Sequence, residues 1–294
     1  MEVTSTFAES RALYEGRIGL LPTMGYFHEG HLSLMDLLRG QCDTLVVSNF
    51  VNPTQFDQSA DLDAYPRDID RDSELAQAHD VDVHFVPDVP EVYPPGSSTE
   101  VTVGAVALGM EGNYRPSHFV GVATVVAKLF AGLRPDVAVF GKKDAQQIAV
   151  LRGMVTDLRF PVEIVSAPLV REPDGLALSS RNVRLTPSDR EAALAISRGL
   201  FQAAMQIEAG ERDVERLEGT VLRSISRLDA DYVELVDADT MKPIEALDRP
   251  AVLAVAAHVG DVRLIDNLSI EWRDDRPEPD RGLLLDEPSS LSAR

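Results

Sequence analysis

The chain has 294 residues, of which 44% are hydrophobic and 26% are charged, as in an ordinary globular protein with a substantial core. A formal net charge of −20 argues against nucleic acid as a partner, because its phosphates would be repelled. The N-terminus lacks a signal peptide's basic start and apolar core, and no apolar run is long enough to span a membrane. One cysteine excludes an intramolecular disulfide framework. We therefore expect a cytoplasmic protein without membrane or nucleic-acid partners.

The first informative stretch follows a short polar N-terminus. An apolar run that starts at Ile18 and ends in a turn around Gly25 predicts a buried strand, and the leucines beyond Gly30 recur at helical spacing. His28 and His31 then lie at the start of the helix, beside backbone N–H groups without intrahelical partners. This end of a helix carries partial positive charge, so a phosphate is the natural ligand. Zinc is the alternative for such a pair, but the spacing is not that of zinc proteases.

A second apolar strand, at residues 43–51, runs directly into Asn52 and Gln55. Strand, helix and strand form a βαβ unit, in which ligands gather beyond the carboxyl ends of the strands. Asn52 and Gln55 are therefore candidate ligand contacts, although asparagine is equally typical of a capped turn. The aspartates between residues 61 and 72 lack the pattern of a calcium loop, and we expect most of them to be exposed to solvent.

Two later segments bring further polar groups to the ends of predicted strands. Residues 141–144, Gly-Lys-Lys-Asp, follow a short apolar strand and precede a helix, an arrangement suited to phosphate although it is not a P-loop. Residues 178–181 supply two hydroxyls and a guanidinium that can bind phosphate oxygens. Arg115 and His118 precede another apolar helix, where they add positive charge or serve as a salt-bridge partner and a loop cap.

The repeated strand–loop–helix steps predict an α/β fold, a Rossmann-like domain with a mostly parallel sheet over residues 1–185. Thr186 and Pro187 have the residue types of an N-cap and a first helical position, and we place the domain boundary there. Residues 186–272 then form a small α+β domain. Residues 273–294 are rich in proline and charge, so we expect a disordered acidic tail.

Six motifs, in their order along the chain, closely resemble the signature of the pantothenate synthetases (pantoate–β-alanine ligases). This family belongs to the nucleotidyltransferase superfamily with an H-x-G-H motif, which is here residues 28–31, His-Glu-Gly-His. The six are PTMG-x-x-HEGHLSL, FVNPTQF, DAYPRD, RPSHF-x-GV, FGKKDAQQ and LALSSRN. Several of them fall on the strand-end loops that the residue pattern had singled out. Agreement of all six by chance is negligible.

The resemblance implies an ATP-dependent condensation of pantoate with β-alanine to pantothenate, AMP and pyrophosphate, through pantoyl adenylate, in pantothenate and coenzyme A biosynthesis. It also implies a homodimer, and Mg²⁺ bound mainly by ATP phosphates and water. One alternative is a different H-x-G-H nucleotidyltransferase; Gln55 and Gln147, which would face the pantoate carboxylate, favour the ligase. The other is an inactive nucleotide-binding protein, against which the retained polar residues argue.

The resemblance assigns roles position by position. Catalysis would fall to His28, His31, Lys143, Ser179 and Arg181. The ATP site would be lined by Met24, Gly25, Tyr26, Phe27, His28, Glu29, Gly30, His31, Gly141, Lys142, Lys143, Asp144, Val170, Leu178, Ser179, Ser180 and Arg181. Pantoate and β-alanine would contact Gln55, Gln147 and Asn52, while the roles of Tyr65, Arg115 and His118 stay open. Tyr26-Phe27 stands where the commonest motif has Ala-Leu, so we expect loop packing or the pocket edge to differ.

Overall fold

The computed structural model describes residues 1–57 and 59–291, and the chain divides into two compact units. Unit 1 comprises Met1–Ala107, Glu111–Gly141 and Val150–Ala167. Unit 2 comprises Leu108–Met110, Lys142–Ala149 and Pro168–Arg294. The boundary predicted at Thr186 falls inside unit 2, and the division into residues 1–185 and 186–272 remains a proposal. Within the described ranges, the helices include none that is both long and apolar enough to cross a membrane.

Unit 1 is built on parallel strands joined by helices, as the α/β pattern predicts. Its strands are β1 (Glu2–Thr4), β2 (Ile18–Thr23), β3 (Thr44–Asn49), β4 (Val83–Phe85), β5 (Val137–Gly141) and β6 (Glu163–Ala167). Its helices are α1 (Phe7–Ala12), α2 (Glu29–Arg39), α3 (Ser59–Asp63), α4 (Ile69–Ala78), α5 (Val89–Val92) and α7 (His118–Leu133). Helices α6 (Met110–Tyr114) and α8 (Ala145–Leu158) contain the points where the chain passes from unit 2 into unit 1.

The sheet of unit 1 has six strands in the order β1-β4-β3-β2-β5-β6, all parallel, which confirms the predicted fold class. From β2 the chain moves outward through β3 and β4, and it then returns to the other side of β2 to form β5 and β6. The order therefore reverses between β2 and β5, where Gly19 is in register with Val137. In such sheets ligands bind outside the carboxyl ends of the strands at this switch point. Here those ends lead to Met24 and Gly141.

One apolar face of α2 packs against β2, β3 and β5 and fixes the helix over the switch point. The helix contributes its side chains at the spacing that a helical face requires. The core of this region consists of Leu21, Phe27, Leu34, Met35, Leu38, Leu45, Val47, Ala76, Val81, Val137, Val139 and Ala167. Burial of each larger side chain stabilises the fold by about 1.5–3 kcal/mol. The start of α2 is thus held by packing along the rest of the helix.

Unit 2 contains an antiparallel sheet covered by two helices. Its strands are β7 (Val170–Arg171), β8 (Asp229–Asp237), β9 (Ala251–Val259), β10 (Val262–Arg273), β11 (Arg276–Asp280) and β12 (Leu283–Leu284), and its helices are α9 (Pro187–Glu208) and α10 (Val214–Ser224). The larger sheet has the order β11-β10-β9-β8, and β12 pairs with β7 in a separate parallel pair. Thr186 caps α9 by accepting from the Asp189 N–H, and Pro187 occupies the first turn, as predicted.

The expectation of a disordered tail is wrong for residues 273–291. Strand β10 continues to Arg273, and a two-residue turn with positive φ at Asp274 (48°) and Asp275 (60°) leads into β11. Leu291, the last residue described, is buried. The polar composition suggested disorder, but the backbone ladder with β10 and the contacts of the following residues provide order that composition alone does not reveal. Residues 292–294 of the predicted tail lie outside the described residues.

Candidate active site

Helix α2 begins with a capping box made by the two histidines. The Gly30 N–H donates to Nδ1 of His28 at 3.1 Å, and the His28 N–H donates to Nδ1 of His31 at 3.4 Å. Because each Nδ1 is an acceptor, the hydrogen of each neutral ring lies on Nε2. The ring centroids are 4.1 Å apart. Both imidazoles therefore have a donor nitrogen at the positive end of a helix, which suits an anionic ligand.

The loop that precedes this helix has a constrained backbone. Gly25 has φ +81°, and a Cβ at this position would lie 2.2 Å from Oδ1 of Asn49, so only glycine fits. Tyr26 also has a positive φ, of 55°, and the Arg71 guanidinium lies 5.7 Å from the centre of its ring. Phe27 is fully buried in the core of unit 1. The Phe27 side chain is therefore part of the core, and Tyr26 packs with Arg71, while the effect of this pair on the pocket edge remains a prediction.

Asp72 on α4 fixes the same loop from behind, a role that the sequence did not reveal. Its carboxylate accepts from the Tyr26 N–H and the Phe27 N–H, each at 2.7 Å, and from Nδ2 of Asn49 at 2.9 Å. Asp72 is 1% exposed, so it is an exception to the expectation that most of the aspartates in this stretch are exposed to solvent. Burial raises the pKa of Asp72, and the two N–H donors and the Asn49 amide oppose that rise. The buried carboxylate satisfies two backbone donors that would otherwise lack partners.

Asn52 and Gln55 occupy a short 3-10 turn, Pro53–Gln55, that follows β3. Asn52 is the N-cap of this turn, is 1% exposed, and donates through Nδ2 to Oε1 of Gln55 at 3.1 Å and to the Gly121 carbonyl at 3.2 Å. Gln55 in turn donates through Nε2 to Sδ of Met24 at 3.0 Å. These contacts bring Met24 and Gln55 together within unit 1, while Asn52 acts as a capping residue that orients Gln55.

Arg115 and His118, whose roles the sequence left open, both bind the main chain of this turn. Arg115 donates to the Gln55 carbonyl at 3.2 Å, and Nδ1 of His118 donates to the same oxygen at 3.1 Å. Nε2 of His118 then accepts from the Arg115 guanidinium at 3.4 Å. Tyr65 packs edge-on against Phe56, with ring centroids 5.7 Å apart. All three residues therefore support the Gln55 turn from within unit 1.

In unit 2 the backbone of the predicted phosphate-binding turn is held by Asn267 on β10. Its Nδ2 donates to the carbonyls of Lys142 and Lys143, each at 2.8 Å. Nζ of Lys142 donates to Oε1 of Glu271 at 3.0 Å and to Oδ2 of Asp280 at 3.1 Å. Burial opposes the charge of Lys142, but the two carboxylates outweigh it and raise the pKa of the ammonium. Lys143 is partly buried, Asp144 is exposed, and Gln147 is partly buried in α8.

The remaining predicted nucleotide residues of unit 2 form one connected loop. The Leu178 N–H donates to the Val170 carbonyl at 3.0 Å, so these two residues are adjacent. The Ser179 hydroxyl caps the following 3-10 turn, Ser180–Arg184, by accepting from the Arg181 N–H at 3.3 Å. Asn182 donates to the Ala177 carbonyl at 3.0 Å and closes the turn.

The predicted site residues are thus divided between the units. Unit 1 contains Met24, Gly25, Tyr26, Phe27, His28, Glu29, Gly30, His31, Asn52, Gln55 and Gly141, the last residue of β5. Unit 2 groups Lys142, Lys143, Asp144, Gln147, Val170, Leu178, Ser179, Ser180 and Arg181. Over residues 1–57 and 59–291, no cluster of three or more His, Cys, Asp or Glu side chains has an arrangement that could hold a metal ion.

Comparison with known proteins gives matches over most of the chain. Residues 1–269 match the family model for pantoate–β-alanine ligase. Pantothenate synthetase 1 of Bradyrhizobium diazoefficiens is 52% identical over 260 residues, which cover 88% of this chain and 92% of the relative. The pantothenate synthetase of Thermotoga petrophila is 48% identical over 270 residues, which cover 91% and 96% of the two chains.

Solved structures agree with the sequence relatives. The pantothenate synthetase of Thermus thermophilus superposes with a TM-score of 0.87 at 45% identity, covering 91% of this chain and 99% of that one. The pantoate–β-alanine ligase of Francisella tularensis, complexed with β-γ ATP and β-alanine, has a TM-score of 0.76 at 32% identity, with coverage of 91% and 97%. The chain therefore belongs to the pantoate–β-alanine ligase family.

Proposed function

We propose that this chain condenses pantoate with β-alanine in an ATP-dependent reaction that forms pantothenate, AMP and pyrophosphate through a pantoyl-adenylate intermediate. Family membership supports the overall ligation. The observation that carries the proposal is the histidine capping box at the start of α2, beyond the end of β2. It combines two imidazole donors with a helix N-terminus beside the switch point of a parallel sheet, where nucleotides bind in folds of this kind.

In the first half-reaction a carboxylate oxygen of pantoate attacks the α-phosphorus of ATP, and the bond to the bridging oxygen of pyrophosphate breaks. Pyrophosphate is a good leaving group, so the main requirements are charge neutralisation and alignment. We assign the Nε2–H donors of His28 and His31 to phosphate oxygens. In unit 2, Lys143, Ser179 and Arg181 supply an ammonium, a hydroxyl and a guanidinium for the same purpose.

In the second half-reaction the amine of β-alanine attacks the acyl carbon of the adenylate, and the bond to the AMP oxygen breaks. We assign Gln55 and Gln147 to pantoate, with Asn52 holding Gln55 in position. The Gln55 amide donates to the Met24 thioether, which is a weak acceptor. A carboxylate or hydroxyl oxygen of pantoate is a stronger acceptor than the thioether, so the Gln55 amide gains when it donates to pantoate in place of Met24.

The remaining predicted residues are assigned to nucleotide binding. They are Met24, Gly25, Tyr26, Phe27, Glu29, Gly30, Gly141, Lys142, Asp144, Val170, Leu178 and Ser180. Mg²⁺ bound with ATP neutralises part of the phosphate charge, and phosphate oxygens and water are its main ligands in this proposal. Resemblance to the family also leads us to propose a cytoplasmic homodimer, which light scattering of the purified protein would test.

The decisive experiment measures AMP release from purified protein with ATP and Mg²⁺, with pantoate and β-alanine supplied singly and together. We expect AMP release to need both acids and to equal pantothenate formation. Pyrophosphate exchange that needs only pantoate would demonstrate the adenylate. ATP binding without either reaction would refute the proposed second substrates.

A further inference from the structure

The last part of the chain lies beyond the residues that the family model matches. The family model ends at residue 269, and the Thermus thermophilus structure matches over 99% of its own length but 91% of this chain. We call residues 270–291 the C-terminal extension. Within unit 2 the extension forms the end of β10, all of β11 and β12, and a final buried segment.

Strand β12 of the extension pairs with β7, which carries Val170. The Leu283 N–H donates to the Leu169 carbonyl at 2.7 Å, and the Leu285 N–H donates to the Arg171 carbonyl at 2.9 Å. The carbonyl of Val170 itself is bonded to Leu178. Because backbone groups of neighbouring residues in a strand point to opposite edges, β12 fixes one edge of β7 while the Leu178 segment occupies the other.

Gly282 allows the extension to approach β7 closely. It has φ +81°, and a Cβ on this residue would lie 2.4 Å from the Leu169 carbonyl oxygen. No side chain fits this space without moving the backbone of one strand. The approach is further secured by Arg171, which is fully buried and donates through Nε to the Arg281 carbonyl at 2.6 Å.

The extension also contacts the other predicted nucleotide segment of unit 2. Its carboxylates Glu271 and Asp280 both accept from Nζ of Lys142. Near its end, the Ser289 N–H donates to Oε2 of Glu172 at 2.9 Å, and both residues are fully buried. The extension therefore contacts the Lys142 side chain and the backbone on both sides of Val170.

We infer that the C-terminal extension is a positioning segment for ATP, which holds the Val170 strand and the Lys142 turn in their binding conformation. This inference rests on the proposed function, because that proposal assigns both segments to the nucleotide. The Lys142 side chain acts here as an anchor to the extension, since its ammonium already has two carboxylate partners, so the nucleotide contact proposed for Lys142 is through its backbone. Lys143 is then the lysine of this turn that contacts phosphate.

Two variants test the inference. A chain that ends at Gly282 lacks β12 and the final segment but keeps the Arg281 carbonyl and both partners of Lys142. Gly282→Ala places a Cβ against the Leu169 oxygen in the full-length chain. Gly210→Ala is the matched control, because Gly210 also has a positive φ (103°) but a Cβ there would meet no atom within 4 Å.

We expect the KM for ATP to rise at least fivefold in the truncated chain and in Gly282→Ala, while kcat and the KM for β-alanine stay within twofold of the unmodified chain. Calorimetric titration with α,β-methylene-ATP should show the same loss of affinity without any reaction. An unchanged KM and affinity in folded Gly282→Ala would overturn the inference. If the unmodified chain forms no pantothenate, the proposed function fails instead, and the titration still reports on the extension.

Discussion

Replacement of Asp72 by asparagine tests whether a residue remote from the histidine rings controls their chemistry. The carboxylate accepts three hydrogen bonds, two of them from the backbone of Tyr26 and Phe27. Asparagine has nearly the same shape, but only one of its two terminal atoms is an acceptor. Asp72→Asn must therefore lose at least one of these hydrogen bonds, and those that remain have a neutral acceptor in place of a carboxylate.

The size of the effect follows from the burial of this group. Hydrogen bonds to a charged partner contribute about 1.5–3 kcal/mol each, and a buried donor left without a partner is a further penalty. We therefore expect Asp72→Asn to destabilise the observed loop conformation by about 2–4 kcal/mol. If only the observed loop conformation is active, a loss of this size slows adenylation roughly 30- to 1,000-fold, since about 1.36 kcal/mol corresponds to a factor of ten in rate.

Pyrophosphate exchange with pantoate alone measures this step, and chemical denaturation measures stability in parallel. Asp70→Asn is the matched control, because Asp70 lies in the same first turn of α4 and is exposed. Rates within threefold of the control in Asp72→Asn, with loss of stability only, would show that the carboxylate supports the fold and not the reaction.

Four further predictions concern catalysis and stability. His31→Ala should slow adenylation about 10²-fold or more, with little change in the unfolding transition. Lys143→Ala should mainly raise the KM for ATP and lower the rate. Steady-state kinetics that match those of the unmodified chain would contradict the role of the residue concerned. Burial lowers the pKa of His84 from 6.5 to about 4. The free energy of unfolding should therefore fall by up to about 3 kcal/mol as the pH drops between these values, because the unfolded chain takes up a proton that the folded chain does not. Urea titrations over this pH range should show a smaller fall for His84→Leu. Arg171→Met should lower the free energy of unfolding by about 3–5 kcal/mol, because the buried Asp266 carboxylate loses its ion-pair partner. Adding Asp266→Leu should recover much of this loss, and a double variant no more stable than the single one would contradict the reasoning.

Features encoded by local sequence could be predicted well. The start of α9 follows from the side chains of Thr186 and Pro187, which act within one turn of the helix. The parallel sheet follows from the alternation of apolar runs and helical periodicity, and the placing of His28 between β2 and α2 follows from the same pattern. The cap acts within one turn of the helix, whereas the sheet pairs distant residues such as Gly19 and Val137; its strands are nevertheless predictable because each one carries its own apolar run.

Features that depend on distant contacts were missed. Asp72 lies in an acidic stretch that resembles a solvated helix, and its partners are about 45 residues away in the chain. The order of residues 273–291 depends on pairing with β10 and β7, the latter about 110 residues earlier. A polar segment shows no apolar periodicity, so its backbone ladder leaves no trace in composition.

The capping box, together with the role proposed for the histidines, places two independent demands on His28. His28 caps α2 through Nδ1, and the phosphate contact proposed for it uses Nε2, so a replacement has to satisfy the helix as well as the ligand. Asparagine is among the best N-cap residues and would restore helix initiation while removing the imidazole. If His28 has the proposed role, His28→Asn keeps the start of α2 and loses the phosphate contact, so folding and activity separate at this one position.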